Sequence, residues 1–169
     1  MKPLIICIVG PSGSGKTTAS MILQQQFGWT AIVSYTTRPK REGEIDGVDH
    51  WFVTKKQVPP QSKMCAYTKF GGYEYWTEWN QFLTLFPNVY VIDEKGLIYA
   101  KEKIKEFDSS QLFCVHISAN KEKRSERGVD DKRMGRDSTR TEYDGNYDYN
   151  IVNDGTIEEF YESLDTIRI

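Results

Sequence analysis

The chain is an α/β protein: its sequence predicts a doubly wound parallel sheet flanked by helices, interrupted by a small insert and a short arginine-rich lid. Three observations carry that prediction. Leu4–Val9 is a continuous run of apolar, largely β-branched residues, the pattern of a strand buried on both faces. A glycine-rich turn follows at once and opens into apolar residues on helical spacing. Buried-strand runs then return at 89–92 and 112–117 with helical or polar stretches between them, the alternation that builds a parallel sheet.

Taken in order, the strand at 4–9 leads into a helix over 17–27. Ala19, Ile22, Leu23 and Phe27 form its inner stripe, and Gly28 serves as its C-cap. A second strand is expected at 31–33. The polar and basic stretch from 34 to 49, with glycines at 43 and 47, reads as loop, and 51–53 as a short strand. Between 54 and 79 the pattern breaks into Pro59, Pro60, Gly71, Gly72 and clustered aromatics, so two or three short strands are expected over that stretch, within an insert spanning 34–88. The run at 89–92 ends on Asp93, and a helix is expected over 97–107, with Ile98, Lys101 and Lys105 toward solvent or its edge. After the strand at 112–117, residues 121–140 hold five arginines and almost no apolar residue, which excludes them from the core. That lid is placed at 119–137. A last short strand at 149–152 precedes a closing helix marked by Ile157, Phe160, Leu164 and Ile167.

A length of 169 residues fits one domain, with core stretches 1–33, 89–118 and 138–169, and excludes two fused enzymes. With 38% hydrophobic and 27% charged residues the chain can bury a core, which excludes a disordered tail. Lysine and arginine number 22 against 24 acidic residues, so no global field draws nucleic acid or an acidic membrane, and any anion site must be local. Cys7, Cys65 and Cys114 are odd in number and lack C-x-x-C spacing, so they read as buried thiols. The apolar run at 4–9 is too short for a signal segment or a membrane span, and a cytoplasmic location is expected.

Residues 10–17 read Gly-Pro-Ser-Gly-Ser-Gly-Lys-Thr, a full match to G-x-x-x-x-G-K-[ST] placed between a predicted strand and a predicted helix. This is a P-loop. Its glycines let main-chain N–H groups converge on a phosphate, and the helix N-terminus adds a positive dipole at the same point. Gly10, Ser12, Gly13, Ser14, Gly15, Lys16, Thr17 and Thr18 are therefore expected to hold ATP, with Lys16 on the β- and γ-phosphates and the Thr17 hydroxyl on Mg²⁺.

The stretch 34–53, Ser-Tyr-Thr-Thr-Arg-Pro-Lys-Arg-Glu-Gly-Glu followed by Ile-Asp-Gly-Val-Asp-His-Trp-Phe-Val, resembles the acceptor segment of the guanylate kinase family. That family's pattern is S-x-[ST]-T-R-x-x-R-x-G-E-x-[DN]-G-x-[DH]-Y-x-F-V. Two further stretches resemble it: Asp93-Glu94-Lys95-Gly96 its D-x-Q-G, and 149–154 its Y-x-x-I-V-N-D. The resemblance spans about residues 4–165 and implies an ATP-dependent, Mg²⁺-using nucleoside monophosphate kinase that converts GMP or dGMP to the diphosphate. Its partners are nucleotides alone. Arg38 and Arg41, three apart on a loop, can clamp a dianionic monophosphate on physical grounds too. By resemblance the acceptor nucleotide also meets Ser34, Thr77 and Asp93, and Asn153 borders the adenine of ATP. Tyr75 is either a phosphate contact or a core side chain. His50 stands where the family has a phosphate-contacting Tyr, and Asp93 reads equally as a helix cap. In the lid, Arg127 matches the family's R-G and Arg133 or Arg136 its later, phosphoryl-closing arginine.

The chain departs from the family at Ala66, where the guanine-reading carboxylate is expected, and Glu74 is the nearest candidate to replace it. Trp76 stands where the family has a small Gly after Tyr75. His116 reads as structural. Another deoxy or modified nucleoside monophosphate is therefore the alternative acceptor, because losing a hydrogen-bonding anchor for a polar edge shifts specificity far more than chemistry. A non-catalytic binding module of the same family is the more distant alternative, and the intact Lys16 and Thr17 argue against it.

Overall fold

The computed structural model describes residues 4–82, 87–107, 111–140, 143 and 145–167, so the ends of the expected core and part of the insert, at 1–3, 83–86, 108–110, 141–142, 144 and 168–169, lie outside the described residues. A five-stranded parallel sheet is built from β1 (Leu4–Val9), β2 (Thr30–Ala31), β7 (Asn88–Val91), β8 (Gln111–Ser118) and β9 (Tyr149–Val152), in spatial order β2-β7-β1-β8-β9. Strand β1 lies in the middle, paired on both edges. Its side chains alternate between two cores, which is why its run is continuously apolar. Ile6 and Ile8 pack with Ala19, Ile22 and Leu23 of α1 (Lys16–Phe27) and with Phe160 and Leu164 of α6 (Ile157–Asp165). Ile5, Cys7 and Val9 pack on the other face with Leu97, Ala100 and Ile104 of α3 (Glu94–Phe107). Each fully buried isoleucine contributes roughly 1.5–3 kcal/mol, so β1 is the least replaceable element.

A second sheet orders β4 (Trp51–Phe52), β3 (Tyr35–Thr36), β6 (Tyr73–Glu78) and β5 (Met64–Phe70). Strand β4 is the short strand expected at 51–53, and β5 and β6 are those expected over 54–79; β3 is the addition, two residues being too short to leave a period. The sheet joins the core through Cys65 and Ala66. The short helix α2 (Trp79–Phe82) then brings Gln81 back to donate to the Val33 carbonyl at 2.7 Å, which is why the strand expected at 31–33 ends early.

Other boundaries shift for local reasons. Helix α3 begins at Glu94 rather than 97, since the Asp93 carboxylate accepts the Gly96 N–H at 2.7 Å and caps it. Lys101 turns inward, its ammonium donating to the Tyr143 hydroxyl. The charged lid folds into α4 (Lys121–Glu126) and α5 (Asp131–Asp137), N-capped by Asn120 and Asp130. Its one aliphatic outlier, Val129, is buried, so the expectation that nothing in this stretch enters the interior is corrected. Gly28 caps α1 in the left-handed conformation, and the three cysteines are free and buried. Among the described residues no helix is long and apolar enough to cross a membrane.

Candidate active site

The loop between β1 and α1 is held from outside so that its inner rim is left to a ligand. Gly15, at φ 105°, is the N-cap, and α1 has no side-chain cap on its first turn. A Cβ at Gly15 would lie 2.4 Å from Asn153 Nδ2, and one at Gly13 would lie 2.4 Å from Val129 Cγ2, so both positions exclude any other residue. Asn153 Nδ2 donates to the Ser14 carbonyl at 2.8 Å. Arg127 donates to Gly13 O at 3.0 Å and Asn153 O at 2.8 Å, and Arg124 Nε to Ser12 O at 2.7 Å. Loop carbonyls are thus turned toward the base of the lid. Lys16 Nζ donates to Pro11 O at 2.7 Å; burial, followed by nearby Arg140, lowers its pKa to about 8.

Opposite the loop lies the basic segment. Arg38 is buried and gripped by Glu44, Nη1 to Oε2 at 2.9 Å and Nη2 to Oε1 at 2.7 Å. Glu44 also accepts the Arg41 N–H at 2.7 Å, and the Arg38 hydrogen bond first of all holds its carboxyl at about 2. The Arg38 guanidinium stands 5.5 Å from the Phe52 ring centroid. His50 packs edge-on to Tyr75 with centroids 5.7 Å apart, and its Nδ1 lies 2.8 Å from the Ser34 hydroxyl. Burial, then Arg38, lowers the His50 pKa.

These two halves face one cavity of about 990 Å³. Ser12, Lys16 and Thr17 line it from the loop side; Ser34, Arg38, Arg41, His50, Tyr75 and Asp93 from the other; Arg133 and Arg136 from the lid. Asp93 caps α3 and also lines the cavity, with burial raising its pKa. Tyr75 is a cavity residue rather than a core one. Both lid registers reach the cavity, and Arg136 Nε is a buried donor with no hydrogen-bond partner among the described residues.

Several expected contacts are not brought there. Thr77 is fully buried behind the wall, its hydroxyl 3.2 Å from Cys65 Sγ. Glu74 lies outside the lining and receives the hydroxyl of Tyr67, a lining residue, at 3.5 Å. Ala66 is itself buried in the core. Trp76 is buried, stacks on Tyr35 and does not line the cavity. Arg127 and Asn153 brace the loop from behind rather than lining the cavity, and exposed Thr18 also lies outside the lining. His116 stacks on Tyr147 at 4.8 Å, a structural position.

Four charged residues passed over in the sequence converge here: Glu94, Arg124, Asp137 and Arg140. The Asp137 carboxylate accepts the Ser12 N–H at 3.0 Å and the Ser12 hydroxyl at 3.2 Å and pairs with Arg124, while Arg140 pairs with Glu94. Only the N-cap residues Asn120 and Asp130 announced where these helices start; the pairs themselves span 13 to 125 positions and leave no local signal.

A main-chain phosphate cradle at a helix N-terminus, facing an arginine clamp across a nucleotide-sized cavity, defines a P-loop phosphotransferase acting on two phosphate-bearing ligands. The guanylate kinase family model matches residues 1–168, and this chain belongs to the guanylate kinase family. The guanylate kinase of Streptococcus mutans serotype c is 32% identical, over 89% of this chain and 79% of that one. That of Protochlamydia amoebophila is 30% identical, over 99% of this chain and 91% of its own length. The crystal structure of guanylate kinase from Anaplasma phagocytophilum shares the fold with a TM-score of 0.72 at 22% identity, covering 98% of this chain and 84% of that one.

Proposed function

We propose that this chain transfers the γ-phosphoryl group of ATP to GMP or dGMP, releasing ADP and the nucleoside diphosphate. The observation that carries the reading is the shared cavity: Lys16 and Thr17 line one end, Arg38, Arg41, His50 and Tyr75 the other, and the lid arginines Arg133 and Arg136 stand between. An acceptor phosphate oxygen attacks the γ-phosphorus, one P–O bond forms as the bond to the ADP oxygen breaks, and charge accumulates on the phosphoryl group in transit. The protein's task is alignment and neutralisation. Arg38, locked by Glu44, fixes the acceptor phosphate, with Arg41 beside it. Lys16 and Arg136, whose Nε has no partner among the described residues, supply positive charge where the transferred group passes.

The donor site fits a bound anion and its Mg²⁺. A carboxylate already occupies the Ser12 N–H, so the loop takes a negatively charged oxygen as built. Among the described residues no cluster of three or more His, Cys, Asp or Glu could hold a metal, which suits an ion carried by phosphates and the exposed Thr17 hydroxyl. Bound there, Mg²⁺ neutralises the phosphate charge.

One observation favours a second acceptor. With Ala66 in the core, Thr77 behind the wall and Glu74 outside the lining, the base meets Ser34 and Asp93 but not the family's pairing carboxylate. A different deoxy or modified base is the alternative. Coupled assay of ADP release against a panel of monophosphates decides: fastest turnover with GMP or dGMP upholds the first reading, another base the second, and no turnover with any refutes both. Arg41→Ala is expected to raise the acceptor KM; an unchanged KM removes Arg41 from the clamp.

A further inference from the structure

Arg140, three residues past α5, reaches across to the start of α3. Its Nε lies 3.1 and 2.9 Å from the two Glu94 oxygens and its Nη2 2.8 Å from Oε2. Glu94 is buried, and this forked grip fixes the guanidinium plane. The Nη1 end is what remains, and it points to Asp137 at 3.7 Å. Asp137 in turn spends both oxygens on Ser12 of the phosphate loop and pairs with Arg124. A carboxylate on a loop amide with two guanidinium groups beside it is the arrangement that holds a phosphate oxygen. Ser12, Lys16, Asp137 and Arg140 all line the same cavity. Of the charges acting on Lys16, Arg140 lowers its pKa most and Asp137 raises it most, so two cations share this end of the cavity with one carboxylate.

We propose that Arg140 is a further catalytic residue, positioned by Glu94 so that its Nη1 end meets the phosphoryl group being transferred, at the place where the Asp137 carboxylate now stands. This rests on the donor assignment made above. Asp137 is then a built-in surrogate that ATP displaces. The competing role for Arg140 is a strap between α5 and α3, which would cost stability and leave chemistry alone.

The test combines calorimetric binding of ATP and of ADP with steady-state turnover on GMP. Contact with the transferred group predicts that Arg140→Ala weakens ATP about tenfold and ADP less than about threefold. It also predicts a kcat fall of about 100-fold or more, with the GMP KM within about threefold. Arg140→Lys keeps the charge but not the fork, and its kcat is expected about tenfold below the parent. Glu94→Gln should lower kcat about tenfold at unchanged GMP KM, the split expected of a positioning residue. Asp137→Asn should tighten ATP about threefold or more by removing the competing anion. Equal losses of ATP and ADP affinity, or a folded Arg140→Lys or Arg140→Ala enzyme with parental kcat, overturn the proposal. Where Arg140→Ala does not fold, Arg140→Lys and Glu94→Gln decide it by the same measures. A parent that prefers ATP to ADP yet phosphorylates no monophosphate refutes the proposed function, and the ATP-to-ADP comparison still judges Arg140.

Discussion

Glu44→Gln isolates the device that aims the acceptor clamp. Glu44 receives both Arg38 guanidinium nitrogens and the Arg41 N–H, and its carboxyl sits at about 2 where 4.5 is ordinary. Such a shift corresponds to at most about 3 kcal/mol of folded-state preference for the anion. With 18% of its side chain exposed at the cavity rim, solvent screening reduces this to about 1–2 kcal/mol. For a chain of this size that is about 2–8 °C in Tm, read by thermal unfolding. Because the folded pKa lies below the unfolded one, the contribution is present above about pH 4.5 and is lost as pH falls toward 2, so the gap between parent and Glu44→Gln should close over that window. In turnover assays the substitution is expected to raise the monophosphate KM about tenfold with kcat within about threefold, since the buried Arg38 loses its orientation and not its charge. A Tm gap that does not change with pH, or a KM equal to the parent's, would refute the reasoning that Glu44 sets the clamp.

Lys16→Ala should abolish turnover with the fold retained, checked by activity and circular dichroism. With a pKa near 8, Lys16 loses its proton as pH rises, so ATP binding should weaken from about pH 8 upward, and a flat calorimetric profile to pH 10 would contradict this. Asn153→Ala removes the donor to Ser14 O and the acceptor for Arg127, and should cost about 1–3 kcal/mol in denaturant unfolding while weakening ATP more than GMP. Ala66→Glu, which writes in the carboxylate expected by resemblance, should lower Tm sharply and leave the base preference unchanged, because position 66 is buried in the core and does not line the cavity of about 990 Å³.

What was legible in the sequence follows from the range of the forces involved. Strand β1, the loop and α1 could be read because one continuous run of burial and one local pattern of glycines each need only neighbouring residues, and the helix ends at Gly28 for the same reason. Strand β4 was legible as the short run at 51–53, whereas β3 was not, since two residues carry no period and its pairing is decided by β6 and β4. At the site, residues on the loop and the basic segment were found by type and spacing. Which of them faces the cavity was settled instead by the second sheet's placement, which buries Thr77 and leaves Glu74 outside the lining while admitting Tyr75 between them.

Charge was the least readable part. A run of arginines looks alike whether solvated or employed, and only the fold sorts it: Arg124 and Arg127 hold loop carbonyls, Arg133 and Arg136 face the cavity, and Arg140 is tied to Glu94. The sorting has an electrostatic logic. Lys16, Arg38 and Arg140 are cations in a cleft that dislikes each of them singly, and Glu44, Asp137 and Glu94 stand beside them as fixed counter-charges. Glu44 and Glu94 grip their arginines by two oxygens and aim them; Asp137 instead sits on a loop amide, where a phosphate belongs. Carboxylates thus do two different jobs here, orientation and substitution. The division predicts that neutralising the first two harms turnover, whereas neutralising Asp137 helps ATP bind.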